Sequence, residues 1–161
     1  MTKNEYLEKA ISMIKALHIP VSIAINPDVV VNERATKIWG RCKRNPNKSY
    51  DIEINIRLLA EANDDAIIEI MLHEVLHTCP DCLNHGPLWK QYAKEVNKAY
   101  GINISRTSSA EALGVERKYK YHLQCENCGG DIYRQNKSDM VKYPNFYHCA
   151  KCGGNLKKIN Y

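Results

Sequence analysis

His73, Glu74 and His77 stand in the pattern H-E-x-x-H. On a helix, positions four apart share a face, so both imidazoles can reach one metal ion with Glu74 beside them. Two ligands are too few, because a catalytic zinc takes three protein groups and keeps a fourth position open for water. His85 is the candidate third ligand: Pro80, Asp81, Asn84 and Gly86-Pro87 let the chain turn back toward the helix. Zinc held by His73, His77 and His85 would lower the pKa of water from about 15.7 toward about 7. Glu74 would then act as general base while that water attacks a peptide carbonyl. The competing reading is a pair of histidines on the polar edge of an ordinary helix. Ile67, Ile70, Met71 and Val75 give the helix a buried face, and a further histidine lies on a turn within reach, which favours the metal site.

A second constellation lies near the C-terminus. Cys125 and Cys128, each pair closing on Gly-Gly, match Cys149 and Cys152 in a C-x2-C…C-x2-C arrangement. This is the spacing of a tetrahedral structural zinc held by four thiolates, with glycines permitting the tight turns at each knuckle. A redox dithiol is the rival reading, but one pair would suffice for it. Cys79 and Cys82 are also spaced C-x2-C, yet no further partners are evident, so they are taken as bystander thiols. His122 and His148 are near enough in sequence to the four cysteines to support them from outside the metal shell. The expectation is two zinc ions per chain, one catalytic and one structural, although a three-histidine site also accepts manganese, cobalt or nickel.

The 161 residues are 44% hydrophobic and 25% charged, which excludes wholesale disorder. No apolar run approaches the roughly 20 residues that span a bilayer, and the first residues lack the basic start and apolar centre of a signal peptide. A cytoplasmic, monomeric protein without membrane association is expected, and seven cysteines in that setting point to metal rather than disulfides. Residues 117–161 hold nine Lys and Arg against three Asp and Glu, for +6, whereas residues 1–116 sum to −1. Lys118, Lys120, Arg134, Lys137, Lys142, Lys157 and Lys158, interleaved with Tyr119, Tyr121, Tyr133 and Tyr143, could hold phosphates and stack on bases. DNA is therefore a candidate partner beside a protein substrate.

The elements that must position these residues follow from periodicity. Thr2 and Glu5 can form a capping box ahead of Leu7, Ala10, Ile11, Ile14 and Leu17 at helical spacing. Alternating apolar residues predict strands at Val21–Ile25, near Ala35–Cys42 and over Ile52–Ile56. Asn63 or Asp64 caps the metal helix, and Pro87 opens another helix that Gly101 ends. These elements predict an α+β domain over residues 1–104, with helices packed on a small antiparallel sheet. Residues 105–116, rich in Ser and Thr, are expected to be a linker, and residues 117–161 a β zinc ribbon with hairpins between its knuckles.

The assembled pieces resemble the SprT-like family of SprT and Spartan proteins. Trp39-Gly40-Arg41, the helix carrying LHEVLH, His85-Gly86-Pro87-Leu88-Trp89 and the terminal cysteine knuckles carry the resemblance, from about Trp39 to Cys152. It implies a minimal zincin-type metalloprotease, with zinc on His73, His77 and His85 and Glu74 as acid and base. It also implies action on DNA-associated proteins, as in the eukaryotic members. The chain departs from that pattern in Cys79-Pro80-Asp81-Cys82 between the ligands. The runner-up reading is a nucleic-acid-binding zinc protein whose zincin domain is a non-catalytic scaffold.

Overall fold

The computed structural model describes residues 1–35, 38–116 and 119–159. They form two units, Met1–Glu116 and Arg117–Tyr161.

In the first unit, helix α1 (Lys3–Ala16) starts at the expected capping box: Glu5 N–H donates to the Thr2 hydroxyl, and Thr2 N–H donates to the Glu5 carboxylate. Its buried face of Tyr6, Leu7, Ala10 and Ile14 packs against α3 (Asp64–Leu76). Strands β1 (Val30–Asn32), β2 (Gly40–Arg44) and β3 (Tyr50–Asn55) form a sheet in the order β1-β3-β2. The sheet is mixed, because β2 runs antiparallel to β3 but β1 runs parallel. The predicted strand at Val21–Ile25 is displaced to Val30–Asn32. Ile23 is almost wholly exposed, and Ile25 contributes one bridge to Tyr50. The cause lies in α1, where Lys3 donates to Asp28 and to the Val29 carbonyl, and the Asn4 side chain accepts from Val29 N–H. These bonds tie the chain down after the Pro27 turn, so it enters the sheet alongside β3. Of the predicted Ala35–Cys42 strand, Thr36 and Lys37 lie outside the described residues, and the remainder is shifted to Gly40–Arg44.

Ile56 does not extend β3. Asn55, buried, accepts from Arg57 N–H at 2.8 Å and starts a short helix α2 (Ile56–Glu61), while its amide donates to the carbonyls of Ala35 and Ile38. Asn63 then caps α3 by accepting from Ala66 N–H. Helix α4 (Pro87–Tyr100) has proline in its first turn and ends at Gly101, whose φ of 67° suits glycine. The segment expected as a linker belongs to this unit's core: Ala110, Leu113 and Val115 are buried with α1, α3 and β3, as is Ile104 just before it. Its apolar residues have no helical or strand period, but Asn97 clamps Ile104 through both its N–H and its carbonyl, at 2.7 and 3.0 Å.

The second unit is an antiparallel sheet in the order β5-β4-β6, formed by β4 (Tyr121–Cys125), β5 (Asp131–Arg134) and β6 (Leu156–Ile159). Between the knuckles only β5 is a strand. Tyr143 and Phe146 fall instead beside a one-turn helix α5 (Asp139–Lys142) and a 3-10 turn (Pro144–Phe146), because Pro144 cannot donate to a ladder. Its core, Leu123 and Leu156 with Cys125, Cys149 and Val141, is small, as expected of so short a unit. No helix among the described residues is long and apolar enough to cross a membrane.

Candidate functional site

Helix α3 places His73 and Glu74 in its last turn, and His77 is the C-cap. The chain turns through Asp81, at a φ of 58°, and returns with His85 just ahead of α4. The three Nε2 atoms converge: His73 to His77 is 3.3 Å, His77 to His85 is 3.2 Å, and His85 to His73 is 2.9 Å. Two of the rings have their tautomer set from behind. His73 Nδ1 donates to the Ser105 carbonyl at 2.9 Å, and His77 Nδ1 donates to the Cys82 carbonyl at 2.7 Å. With Nδ1 holding the proton of a neutral ring, each of these Nε2 atoms offers a lone pair to the common point. Lone pairs this close repel unless a cation sits among them. Two nitrogens bound tetrahedrally at about 2.0–2.1 Å stand about 3.3 Å apart, so the residues fit a metal ion of zinc's size.

Electrostatics agree with that role. Burial, together with His77 and His85 nearby, pushes the His73 pKa down to about 4. His77 and His85 are lowered too, chiefly by burial. All three are therefore neutral at pH 7, the form that binds metal. Trp89, 2% exposed, packs its indole against the three rings at centroid distances of 4.8, 5.4 and 4.5 Å. Part of the core, it is also the wall against which the three rings lie.

Glu74 is buried beside the histidines, and burial raises its pKa to about 8 against the opposing pull of the Cys42 N–H and Arg41. Gly40 on β2 makes this possible. A Cβ there would lie 2.7 Å from Glu74 Cγ, Glu74 Oε1 and Ile70 Cγ2. The carboxylate opens with the histidines into a cleft of about 370 Å3, which Arg41, Leu83 and Arg106 also line.

The four cysteines expected to form the second site are together. Cys125 and Cys152 Sγ are 3.5 Å apart, Cys128 and Cys149 3.7 Å, and all four sulfurs lie within 4.8 Å of one another. Tetrahedral thiolates at about 2.3 Å from zinc stand about 3.8 Å apart, so this group fits zinc as well. Gly129 and Gly153 take left-handed φ values of 68° and 72° to form the knuckles. Backbone N–H groups of Lys151 and Cys152 lower the Cys149 pKa, and that of Gly154 lowers Cys152, favouring thiolates at these two, while against the Gly130 N–H the neighbouring sulfurs of Cys152 and Cys125 push Cys128 up to about 11.

Other expected contributors fall elsewhere. His122 bonds to Asp131 at 2.6 Å and stacks on Tyr133, so it supports the strand pair rather than the sulfurs. Tyr119 packs beside Tyr133, and Lys158 lies over Tyr121. Lys118 lies outside the described residues. Cys79 and Cys82 are buried outside both metal-holding groups, and burial pushes the Cys79 thiol up to about 12. Sequence reasoning missed Gly40 and the carbonyls of Cys82 and Ser105, which hold the histidines. Carbonyls carry no side-chain signal, while Gly40 stood inside the recognised Trp-Gly-Arg stretch.

Comparison with known proteins places this geometry. The SprT-like family model matches residues 20–108. Protein SprT-like of Oceanobacillus iheyensis is 33% identical over 135 residues, covering 81% of this chain and 81% of that protein. Protein SprT-like of Staphylococcus saprophyticus is 29% identical over 116 residues, 70% of each, and Protein SprT of an Enterobacter species is 29% identical over 112 residues, 66% and 65%. The match spans α2, α3 and α4 with all three histidines and Glu74, and on that ground the chain belongs to the SprT-like family.

Proposed function

We propose that this chain is a zinc-dependent endopeptidase. The observation that carries the reading is the buried Glu74 carboxylate beside three converging histidine Nε2 atoms, at the floor of an open cleft. A zinc ion held by His73, His77 and His85 would supply a Lewis acid and an acidified water. The protein's own groups do the rest. Cys42 N–H and the charge of Arg41 steady the Glu74 carboxylate; burial raises its proton affinity, which the charge of a bound cation would offset, leaving it ionised to accept a proton and return it to the leaving amine. The Ser105 and Cys82 carbonyls keep two imidazoles from rotating, and Trp89 excludes water from behind them. Strand β2 is at the sheet edge, where an extended peptide can lie along the cleft. The four cysteines would hold a second, structural zinc.

A nucleic-acid contact by residues 117–161 completes the reading. Its +6 charge and the partly exposed Tyr119, Tyr133 and Tyr143 support it. The test is cleavage of an unfolded protein by the zinc-loaded chain, with and without single-stranded DNA, and with Glu74→Gln as control. Cleavage lost in Glu74→Gln supports the peptidase. DNA binding with no turnover on any substrate would instead favour a non-catalytic nucleic-acid-binding protein.

A further inference from the structure

The unit Met1–Glu116 carries a slight negative charge, yet its cleft is lined the other way. Among the residues lining it, Glu74 is the one carboxylate, whereas Arg41 and Arg106 both reach in, giving two positive charges against one before any metal ion is counted. The two arginines come from different elements. Arg41 projects from edge strand β2, its side chain half exposed, and its carboxylate neighbour Glu53 stands 4.0 Å away at the limit of an ion pair. Arg106 is exposed and, among the described residues, has no carboxylate partner.

Arg106 is also held in place. Ser105 is pinned through its carbonyl to His73 Nδ1, and Ser108 accepts at its carbonyl from Trp39 Nε1 at 3.1 Å. Between these anchors the Ser105 hydroxyl donates to the Thr107 carbonyl at 2.7 Å. The segment is thus a short strap from the metal helix to the approach of β2, with Arg106 presented from its middle. A guanidinium presented from an anchored backbone beside the cleft, with no carboxylate partner among the described residues, is free to receive a carboxylate, which it can bind with two parallel hydrogen bonds.

We propose that the cleft selects peptides bearing an Asp or Glu side chain close to the bond that is cut, with Arg106 and Arg41 as the residues that receive it. The apolar part of the same lining, Ile38, Trp39, Ile70 and Leu83, suits the neighbouring residues of a peptide better than a bare phosphate chain. This selectivity rests on the peptidase reading for its biological use but not for its detection.

Two readouts keep the two apart. The first is binding of fluorescent decapeptides to the zinc-loaded Glu74→Gln variant, with one Glu or one Gln moved along an otherwise neutral sequence. The second is kcat/KM for the same peptides with the unaltered chain. At the best position, Glu should be favoured over Gln by about fivefold, the size of one partly exposed ion pair. The preference should shrink as salt is raised and fall within twofold in Arg41→Gln/Arg106→Gln, and Arg106→Glu should turn it toward Lys. Equal handling of Glu and Gln peptides in both readouts overturns the proposal while leaving proteolysis standing. A Glu preference in binding with no cleavage by the unaltered chain supports the proposal and sinks the peptidase reading. If a single-stranded oligonucleotide binds more tightly than the Glu peptide and loses that affinity in the double arginine variant, the cleft is a phosphate site and the proposal falls.

Discussion

Gly40→Ala tests whether β2 and the metal helix meet as closely as the site requires. The added methyl would stand 2.7 Å from Glu74 Cγ, Glu74 Oε1 and Ile70 Cγ2, where carbon atoms prefer about 3.5–4.0 Å. About 1 Å must be found, and Ile70 has little room to give because it is buried in the core. The carboxylate must move, or β2 must lift. Overpacking of this kind costs about 1–3 kcal/mol, which in a unit of this size lowers Tm by about 5–15 °C. Displacing a proton-transfer group by about 1 Å reduces turnover on the order of 100-fold. The histidines lie outside the collision, so zinc content should stay at the wild-type value. Differential scanning calorimetry, metal analysis and a peptidase assay on one preparation separate these effects. A variant with unchanged Tm and turnover within twofold of wild type would refute the close approach of Gly40 to Glu74, and with it the positioning role of β2.

The remaining predictions concern metal, base and acid. Metal analysis should find two zinc ions per chain, falling to one in His73→Ala/His77→Ala; one in both proteins would mean that the histidines hold none. Glu74→Gln should keep both ions and lose about 100- to 10,000-fold in turnover, since it removes a proton carrier and not a ligand. Replacing Cys149 by Ser should remove the other zinc and abolish the fold of residues 117–161, read as loss of their dispersed amide resonances, while residues 1–116 keep theirs. In the zinc-free Glu74→Gln variant, which removes the carboxyl whose raised pKa of about 8 would add stability over the same range, His73 is held neutral to about pH 4 against 6.5 in the unfolded chain. The unfolded state then binds the proton first, so stability is full above pH 6.5 and declines as the pH falls toward 4, by on the order of 3 kcal/mol. A urea midpoint that stays constant from pH 7 to 4.5 would contradict this.

Those residues of the site that repeat at short intervals were legible in the sequence. His73 and His77 share a helical face by period alone, and the paired Cys-x2-Cys knuckles announce their geometry through spacing and glycine. The capping of α1 and α3 and the Gly101 stop are equally local, and the structure shows each of them. What failed was decided at a distance. Val21–Ile25 has the alternation of a strand, but Lys3 and Asn4 secure the chain further on and β1 forms at Val30–Asn32 instead. Residues 105–116 have the composition of a linker, yet Ala110, Leu113 and Val115 are buried because the Asn97 clamp brings the segment back over the core.

The misread segment is also the one that reaches the metal helix, and the coincidence has a physical basis. Two of the three imidazoles that converge here are held from behind, and a backbone carbonyl does this without adding charge to a site that must stay open to a cation. Helix α3 cannot provide it, since its interior carbonyls are engaged in its own ladder. The acceptors must therefore come from irregular chain packed against the helix, here Cys82 in the turn and Ser105 after α4. Irregular chain has no period to detect, and its contribution is made by main-chain atoms common to every residue type. Sequence therefore discloses the candidate ligands but conceals their supports, and the supports tie residues 105–108 to α3. Deleting that segment as a supposed linker would release His73 and lower zinc affinity about 10- to 100-fold, as loss of such a partner does elsewhere. Unchanged zinc affinity in that deletion would show that the Ser105 contact holds nothing.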